Sequence, residues 1–174
     1  MKEIILKLTI VLSILTISIH NIHAQDSIKK NSIYTEIGGN GVLYSINYER
    51  LYNVSKLINI TSRIGYGYFT INRIKANSIP FEINGLYAIA KQKHFIEIGS
   101  GITYLDTKDL NDDPLDITAL IYAARLGYRY QKPTGGIMYR IGITPLYDFY
   151  SDKQNLIRSK VWFLIGGISI GYNF

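Results

Sequence analysis

The sequence predicts an all-β fold, namely an eight-stranded antiparallel up-and-down transmembrane β-barrel. Three observations predict it. Successive segments alternate apolar and polar residues with a period of two, which is typical of β-strands. The chain contains 15 tyrosines and 15 glycines, a combination typical of β structure. After the N-terminal segment, no uncharged apolar stretch approaches the roughly 18 residues that a membrane-spanning helix requires.

The N-terminal segment, residues 1–24, has the three parts of an export signal. Lys2 and Lys7 supply positive charge, Leu8–Ile19 is apolar, and a small residue follows at Ala24. The apolar run of about a dozen residues is too short for a permanent membrane helix. We therefore expect cleavage after Ala24. At 174 residues the chain has room for one domain, so the predicted barrel occupies residues 25–174.

The two faces of each predicted strand differ in residue size as well as polarity. In the segment Val42–Leu51, Tyr44, Ile46 and Tyr48 oppose Ser45, Asn47 and Glu49. A soluble, lipocalin-like barrel turns its apolar face inward, whereas a membrane barrel turns it outward. Eight strands leave a narrow interior that suits small residues. Because glycine and charged residues share one face and most tyrosines the other, the pattern favours the membrane arrangement.

The predicted connections alternate in length after the second strand. Three are short: Asn53–Lys56, Lys91–Lys93 and Gln131–Gly136. Three are longer: Ile71–Ser78, Asp106–Asp116 and Asp148–Lys160. Outer-membrane barrels combine short periplasmic turns with longer outer loops. The exception is the first hairpin, where Gly38–Gly41 predicts a tight turn.

Three parts of the chain carry a family resemblance: the export signal, the opening segment Tyr34–Gly41 with Ser45–Arg50, and the terminal strand with Ile168, Ile170, Tyr172 and Phe174. With these the chain resembles small eight-stranded bacterial outer-membrane β-barrel proteins, of a Bacteroidetes-like type. The resemblance implies a location in the outer membrane after export and signal cleavage. It also implies that Ile170, Tyr172 and Phe174 form a C-terminal signal for the barrel assembly machinery. Outer-membrane lipid and lipopolysaccharide are the other expected partners, and we expect a monomer.

Eight charged residues fall on the predicted inward face. They are Glu36, Glu49, Glu82, Glu97, Arg63, Arg125, Arg129 and Arg140. A charge inside a narrow barrel needs a partner or water, because an unpaired desolvated charge is costly. We interpret the set as a structural ionic network that fills the lumen. The alternative is a narrow pore or small-ligand-binding barrel whose Glu and Arg pairs exchange partners.

Several function classes are disfavoured by composition. The formal charge of +6 is scattered singly between apolar residues, so we expect no nucleic-acid partner. The absence of cysteine excludes disulfides, thiolate metal sites, thiol nucleophiles and a lipidated cysteine. After residue 24 the only histidine is His94, which we expect at the membrane interface rather than in a Ser-His-Asp site. We predict no enzymatic activity and no cofactor.

One acidic segment resembles a metal loop only in part. Asp109, Asn111 and Asp113 have the opening spacing of a calcium loop. However, Pro114 stands where that loop needs glycine, and Leu120 stands where its closing glutamate should be. We therefore predict a solvated loop and no metal site, with loose divalent or lipopolysaccharide-bridging contacts as the alternative. The loops are then the expected surface-interaction elements.

Overall fold

The computed structural model describes residues 28–71, 74–90, 92–109, 117–151 and 162–174. The predicted export signal lies outside these residues. The described chain forms eight strands and one 3-10 turn, η1 at Gly39–Gly41. The strands are β1 Asn31–Gly38, β2 Tyr44–Asn53, β3 Ile58–Ile71, β4 Ile74–Ala90, β5 His94–Asp109, β6 Ile117–Tyr130, β7 Gly136–Ser151 and β8 Trp162–Asn173.

The strands form one closed antiparallel barrel. Each strand pairs with the next in the chain, and β1 pairs with β8 to close the sheet. At the closure, Glu36 lies opposite Ser169 and Gly38 opposite Gly167. This up-and-down order confirms the predicted fold class. Within the described residues, no helix is long and apolar enough to cross a membrane.

The two ends of the barrel differ in their connections. One end holds the start of β1, the end of β8 and the connections β2–β3, β4–β5 and β6–β7; we call it the terminal end. The opposite end, which we call the loop end, holds η1 and the connections β3–β4, β5–β6 and β7–β8. The wall is uneven, since β4 has 17 residues and β1 only 8. The loop end is therefore higher on the side of β3 to β7.

The outer wall is apolar, as the alternation predicts. Its middle is mostly aliphatic, with Tyr48 and Phe81 exposed on either side of Ile64. The exposed aliphatic side chains there are Ile46, Ile64, Ile83, Ile98, Leu126, Ile141 and Ile168. Exposed tyrosines lie toward the loop end at Tyr44, Tyr66, Tyr68, Tyr104 and Tyr122, and toward the terminal end at Tyr52, Tyr87, Tyr128, Tyr139 and Tyr172. This parity is the reverse of the one that a lipocalin-like barrel requires.

The predicted long loop Ile71–Ser78 is wrong. Strands β3 and β4 continue almost to their hairpin, with Phe69 opposite Ala76 and Ile71 opposite Ile74. Ala76 and Ser78 are buried in the barrel while Lys75 is exposed, so the two-residue period persists there. Strands β5 and β7 likewise reach Asp109 and Ser151, which shortens the other two predicted loops. The rest of those loops lies outside the described residues.

Candidate functional site

The barrel interior is the candidate site because it gathers all eight predicted charges. Each of these side chains is at most 2% exposed. Nitrogen–oxygen distances of 4.0 Å or less join them in one network. The four carboxylates and four guanidinium groups balance, so the buried network carries no formal net charge. Electrostatic pairing thereby offsets part of the cost of desolvating each charge.

Glu36 joins two arginines near the middle of the lumen. Its Oε2 accepts a hydrogen bond from Arg63 Nη1 at 2.7 Å, and its Oε1 accepts one from Arg125 Nη1 at 2.6 Å. Ser169 Oγ donates to the same Oε1 at 3.2 Å. Arg63 Nε lies 2.8 Å from Glu82 Oε2. The carboxylate on β1 is therefore tied to three other strands.

A second group of charges lies on the other side of the network. Arg129 forms a bidentate pair with Glu49, whose oxygens lie 2.6 and 2.8 Å from its Nη1 and Nη2. Arg140 donates to both oxygens of Glu97, with Nε 3.0 Å from Oε2. Arg129 Nη2 also reaches Glu97 Oε1 at 3.3 Å. Paired, charge-assisted contacts of this kind are stronger than neutral hydrogen bonds.

Tyr34 is an inward residue that the sequence analysis did not place. Its hydroxyl accepts hydrogen bonds from Arg63, at 3.2 Å, and from Arg140. The Arg140 guanidinium carbon lies 4.8 Å from the centre of the Tyr34 ring, a cation–π distance. The signal was present in the sequence, since Tyr34 is two residues from Glu36 on β1 and must share its face.

Glycines provide the space for these side chains. Glu97 lies opposite Gly127, and Arg125 lies opposite Gly99. A Cβ added at Gly101 would approach Glu82 Cγ to 2.6 Å, which is closer than real atoms pack. The small residues on the inward face therefore match the large charged ones across neighbouring strands.

The 3-10 turn η1 folds into the lumen at the loop end. Gly39, Asn40 and Gly41 are all buried. Thr103 Oγ1 on β5 donates to the Asn40 carbonyl oxygen at 2.7 Å, and Ser78 Oγ on β4 donates to the Gly41 carbonyl oxygen at 3.0 Å. The predicted tight turn is thus also an internal cap above the ionic network.

An apolar layer lies below the network at the terminal end. Leu51, Leu86, Ala88 and Phe95 form a cluster of buried side chains. A cavity of about 240 Å³ adjoins this layer and is lined by Leu51, Phe95, Lys56 and Gln131 among others. From the terminal end to the loop end, the lumen therefore contains an open cavity beside the apolar cluster, then the ionic network, and then the buried turn η1.

The remaining predicted residues lie outside the lumen. His94 Nδ1 is 2.6 Å from the Tyr128 hydroxyl on the outer wall, and its ring also contacts Tyr130. Ile170 and Tyr172 are exposed at the end of β8, and Phe174, which follows the strand, is exposed as well. Asp109 ends β5, but residues 110–116 lie outside the described part, so the acidic loop stays a prediction. The paired charges of the lumen and His94 on the outer wall therefore do not form one site.

Comparison with solved structures gives the fold a precedent. The N-terminal β-barrel domain of Pseudomonas aeruginosa OprF matches with a TM-score of 0.55 and 10% sequence identity, over 86% of this chain and 98% of that domain. The chain resembles small outer-membrane β-barrels. This likeness to outer-membrane barrels concerns the fold.

Two further structures are similar over most of their length. Neisserial surface protein A has a TM-score of 0.49 and 11% identity, over 83% of this chain and 93% of that one. Ail, the attachment invasion locus protein of Yersinia pestis, has a TM-score of 0.38 and 13% identity, over 84% of this chain and 99% of that one. No protein-family model matches the sequence, and no curated protein sequence matches it.

Proposed function

We propose that this chain is an integral outer-membrane β-barrel without catalytic activity, whose role is structural or lies in surface interactions at the loop end. One observation carries the proposal. The outer wall has a mostly aliphatic middle, and most of its exposed tyrosines lie in two zones toward the barrel ends. This is the pattern of lipid-facing strands with interfacial aromatic girdles. In water, an apolar surface of this extent would drive aggregation.

The contents of the lumen support a closed barrel. The ionic network is capped by Asn40 of η1 at one end and floored by Leu51 and Phe95 at the other. Glu36, Glu49 and Glu97 already accept hydrogen bonds from arginines, and Glu82 is held in ion pairs with Arg63 and Arg140. His94 points to the outer wall. These features favour an internal scaffold over a reaction site.

Orientation and partners follow from the proposed location. In an outer-membrane barrel with an even number of strands, both termini lie on the periplasmic side. The terminal end would then face the periplasm, and the loop end would face outward to lipopolysaccharide. Ile170, Tyr172 and Phe174 would be read by the assembly machinery, after which the barrel would remain a monomer.

Cell fractionation with a heat-modifiability gel tests this proposal. We expect the exported protein in the outer-membrane fraction, extractable only with detergent, and migrating faster unheated than heated. Surface protease should cleave at the loop end in intact cells. Recovery of the protein in the soluble periplasmic fraction, with no heat-dependent shift in mobility, would contradict the proposal.

A second candidate, a narrow pore, has one observation in its favour. Arg125 makes a direct hydrogen bond to Glu36, yet its Nε and Nη2 atoms have no hydrogen-bond partner within the described structure. A loosely held guanidinium could move within the lumen. Planar-bilayer recording separates the candidates, because a closed barrel gives no steady conductance. Conductance that disappears in Arg125→Ala or Glu97→Ala would favour the pore.

A further inference from the structure

Basic residues encircle the terminal end of the barrel. Six described side chains outside the lumen contribute: Lys29, Lys30, Arg50, Lys56, Lys93 and Lys132, which we call the basic ring. All six are exposed. Lys29 and Lys30 precede β1, and Arg50 lies on β2. Lys56, Lys93 and Lys132 lie in the connections β2–β3, β4–β5 and β6–β7, respectively. The ring is therefore distributed around the barrel rather than confined to one side.

The basic ring has no acidic counterpart among the described residues. The four glutamates of the described residues are buried in the lumen. The described aspartates, Asp106, Asp109 and Asp148, lie at the loop end. Within the described chain, none of the ring side chains forms a salt bridge, and Arg50 Nη1 contacts only the Asn31 amide oxygen, at 3.3 Å. Positive charge at this end is thus exposed, and no described aspartate or glutamate side chain lies beside it.

The ring also has a defined position relative to the apolar wall. Exposed Tyr52 and Tyr172 are the second-last residues of β2 and β8, and exposed Tyr87 lies three residues before the end of β4. The connections that carry Lys56, Lys93 and Lys132 follow directly and are short. In a membrane, aromatic side chains mark the headgroup level. The lysines would then lie at the level of the headgroups. Their distance from the headgroup phosphates would be shorter than the Debye length of about 10 Å, so salt would screen the attraction only in part.

We propose that the basic ring binds anionic phospholipid headgroups in the leaflet at the terminal end. The inference rests on the proposed membrane location. Lysine and arginine near an anionic surface contribute favourable electrostatic energy, and the adjacent tyrosines position them at the right depth. Short turns keep the charges at the membrane surface, which favours lipid over a polymer farther away. The basic ring would therefore enrich anionic phospholipid around the barrel in the leaflet at the terminal end.

Electron spin resonance of lipids around the reconstituted barrel tests the proposal. The exported protein is placed in phosphatidylcholine vesicles with spin-labelled phosphatidylglycerol or spin-labelled phosphatidylcholine. We expect phosphatidylglycerol to associate about threefold to fivefold more strongly at low salt, and the preference to fall at high salt. In the triple variant Lys56→Gln/Lys93→Gln/Lys132→Gln, it should drop below about twofold.

A second variant, which removes two lysines at the opposite end, controls for the loss of charge in general. Lys75 and Lys108 are exposed and lie opposite each other at the loop end. Lys75→Gln/Lys108→Gln removes charge at that end and should keep most of the phosphatidylglycerol preference. A preference that is absent from the unmodified protein, or that is lost equally in both variants, would overturn the proposal.

The same spectra separate this inference from the proposed function. A motionally restricted lipid component indicates a barrel embedded in the bilayer. If that component is absent from every sample, the membrane location fails. If it is present without lipid preference, only the headgroup inference fails. Sedimentation with purified peptidoglycan is a second arm: lysine-dependent binding there, without lipid preference, would assign the ring to the polymer and overturn the lipid proposal.

Discussion

Arg129 and Glu49 form a two-hydrogen-bond pair across the barrel lumen, although they are 80 residues apart in the chain. Both side chains are almost fully buried. Removing one partner of such a pair is costly, because the remaining charge is then buried away from water without a counter-charge. The lumen network therefore predicts strong coupling between strands that are distant in sequence.

The first prediction concerns this pair. Arg129→Met leaves Glu49 buried without its main cation, so we expect the free energy of unfolding to fall by about 3–5 kcal/mol. Adding Glu49→Leu should recover part of the loss, because no unpaired charge then remains at that site. Urea unfolding in lipid vesicles measures both values. Lys108→Met, at an exposed position, should change stability by less than about 0.5 kcal/mol. Strictly additive losses in the double variant would contradict the coupling.

The second prediction concerns the space beside Tyr34. A Cβ at Gly171 would lie 2.7 Å from Tyr34 Cα on the neighbouring strand, whereas one at Gly166 would meet nothing within 4 Å. Gly171→Ala should therefore cost about 1–3 kcal/mol of unfolding free energy. Gly166→Ala is the matched control on the same strand, with no loss expected. Equal stabilities of the two variants would show that the β1–β8 contact is looser than described.

The third prediction concerns the Tyr34 hydroxyl. Tyr34→Phe removes the acceptor for Arg63 and Arg140 and leaves buried donors without it, so stability should fall by about 1–3 kcal/mol. Tyr87→Phe, on the exposed outer wall, is the control and should have little effect. Chemical unfolding monitored by circular dichroism gives both numbers. If Tyr34→Phe leaves the free energy of unfolding unchanged, the hydrogen bonds from Arg63 to Glu36 and from Arg140 to Glu97 are sufficient without the hydroxyl.

The fourth prediction concerns the outer wall. Ile83 lies in the aliphatic middle of β4 and is 52% exposed. Ile83→Arg places a charge in hydrocarbon and should destabilise the inserted barrel by about 2–4 kcal/mol. Thr70→Arg, at an exposed position near the loop-end tip of β3, should cost about 0–1 kcal/mol. The comparison is made by folding into vesicles, and equal costs would argue against a lipid-facing belt.

The strand faces could be predicted because side-chain direction alternates locally. Ser45, Asn47 and Glu49 face inward for the same reason that Tyr44, Ile46 and Tyr48 face outward, and no tertiary information is needed. Four glutamates and four arginines on one face then imply a neutral lumen. The same rule, applied to β1, would have placed Tyr34 inside beside Glu36.

Other features depended on information that is not local. Lys75 and Asn77 look like loop residues, but they belong to β4 because the strand pair extends beyond the apolar wall. The partners of each charge follow from barrel closure and strand stagger, which bring Arg125 on β6 to Glu36 on β1. The inward fold of η1 depends on positive φ angles at Gly38 and Gly39, whose direction the turn sequence alone does not fix.

Contact between the outer wall of the barrel and lipid can be measured directly. Because the chain contains no cysteine, single cysteines can be introduced along one face of β4 at Tyr87, Ile83, Ile79 and Lys75, and labelled with a small fluorophore. The measurement is quenching by lipids that carry doxyl groups at known acyl-chain depths. We expect the label to lie deepest in the bilayer at Ile83→Cys and closer to the surface at Tyr87→Cys and Ile79→Cys. At Lys75→Cys we expect no quenching by the lipids. Labels at Ile83 that are quenched by aqueous iodide, and not by the lipids, would contradict a lipid-facing outer wall.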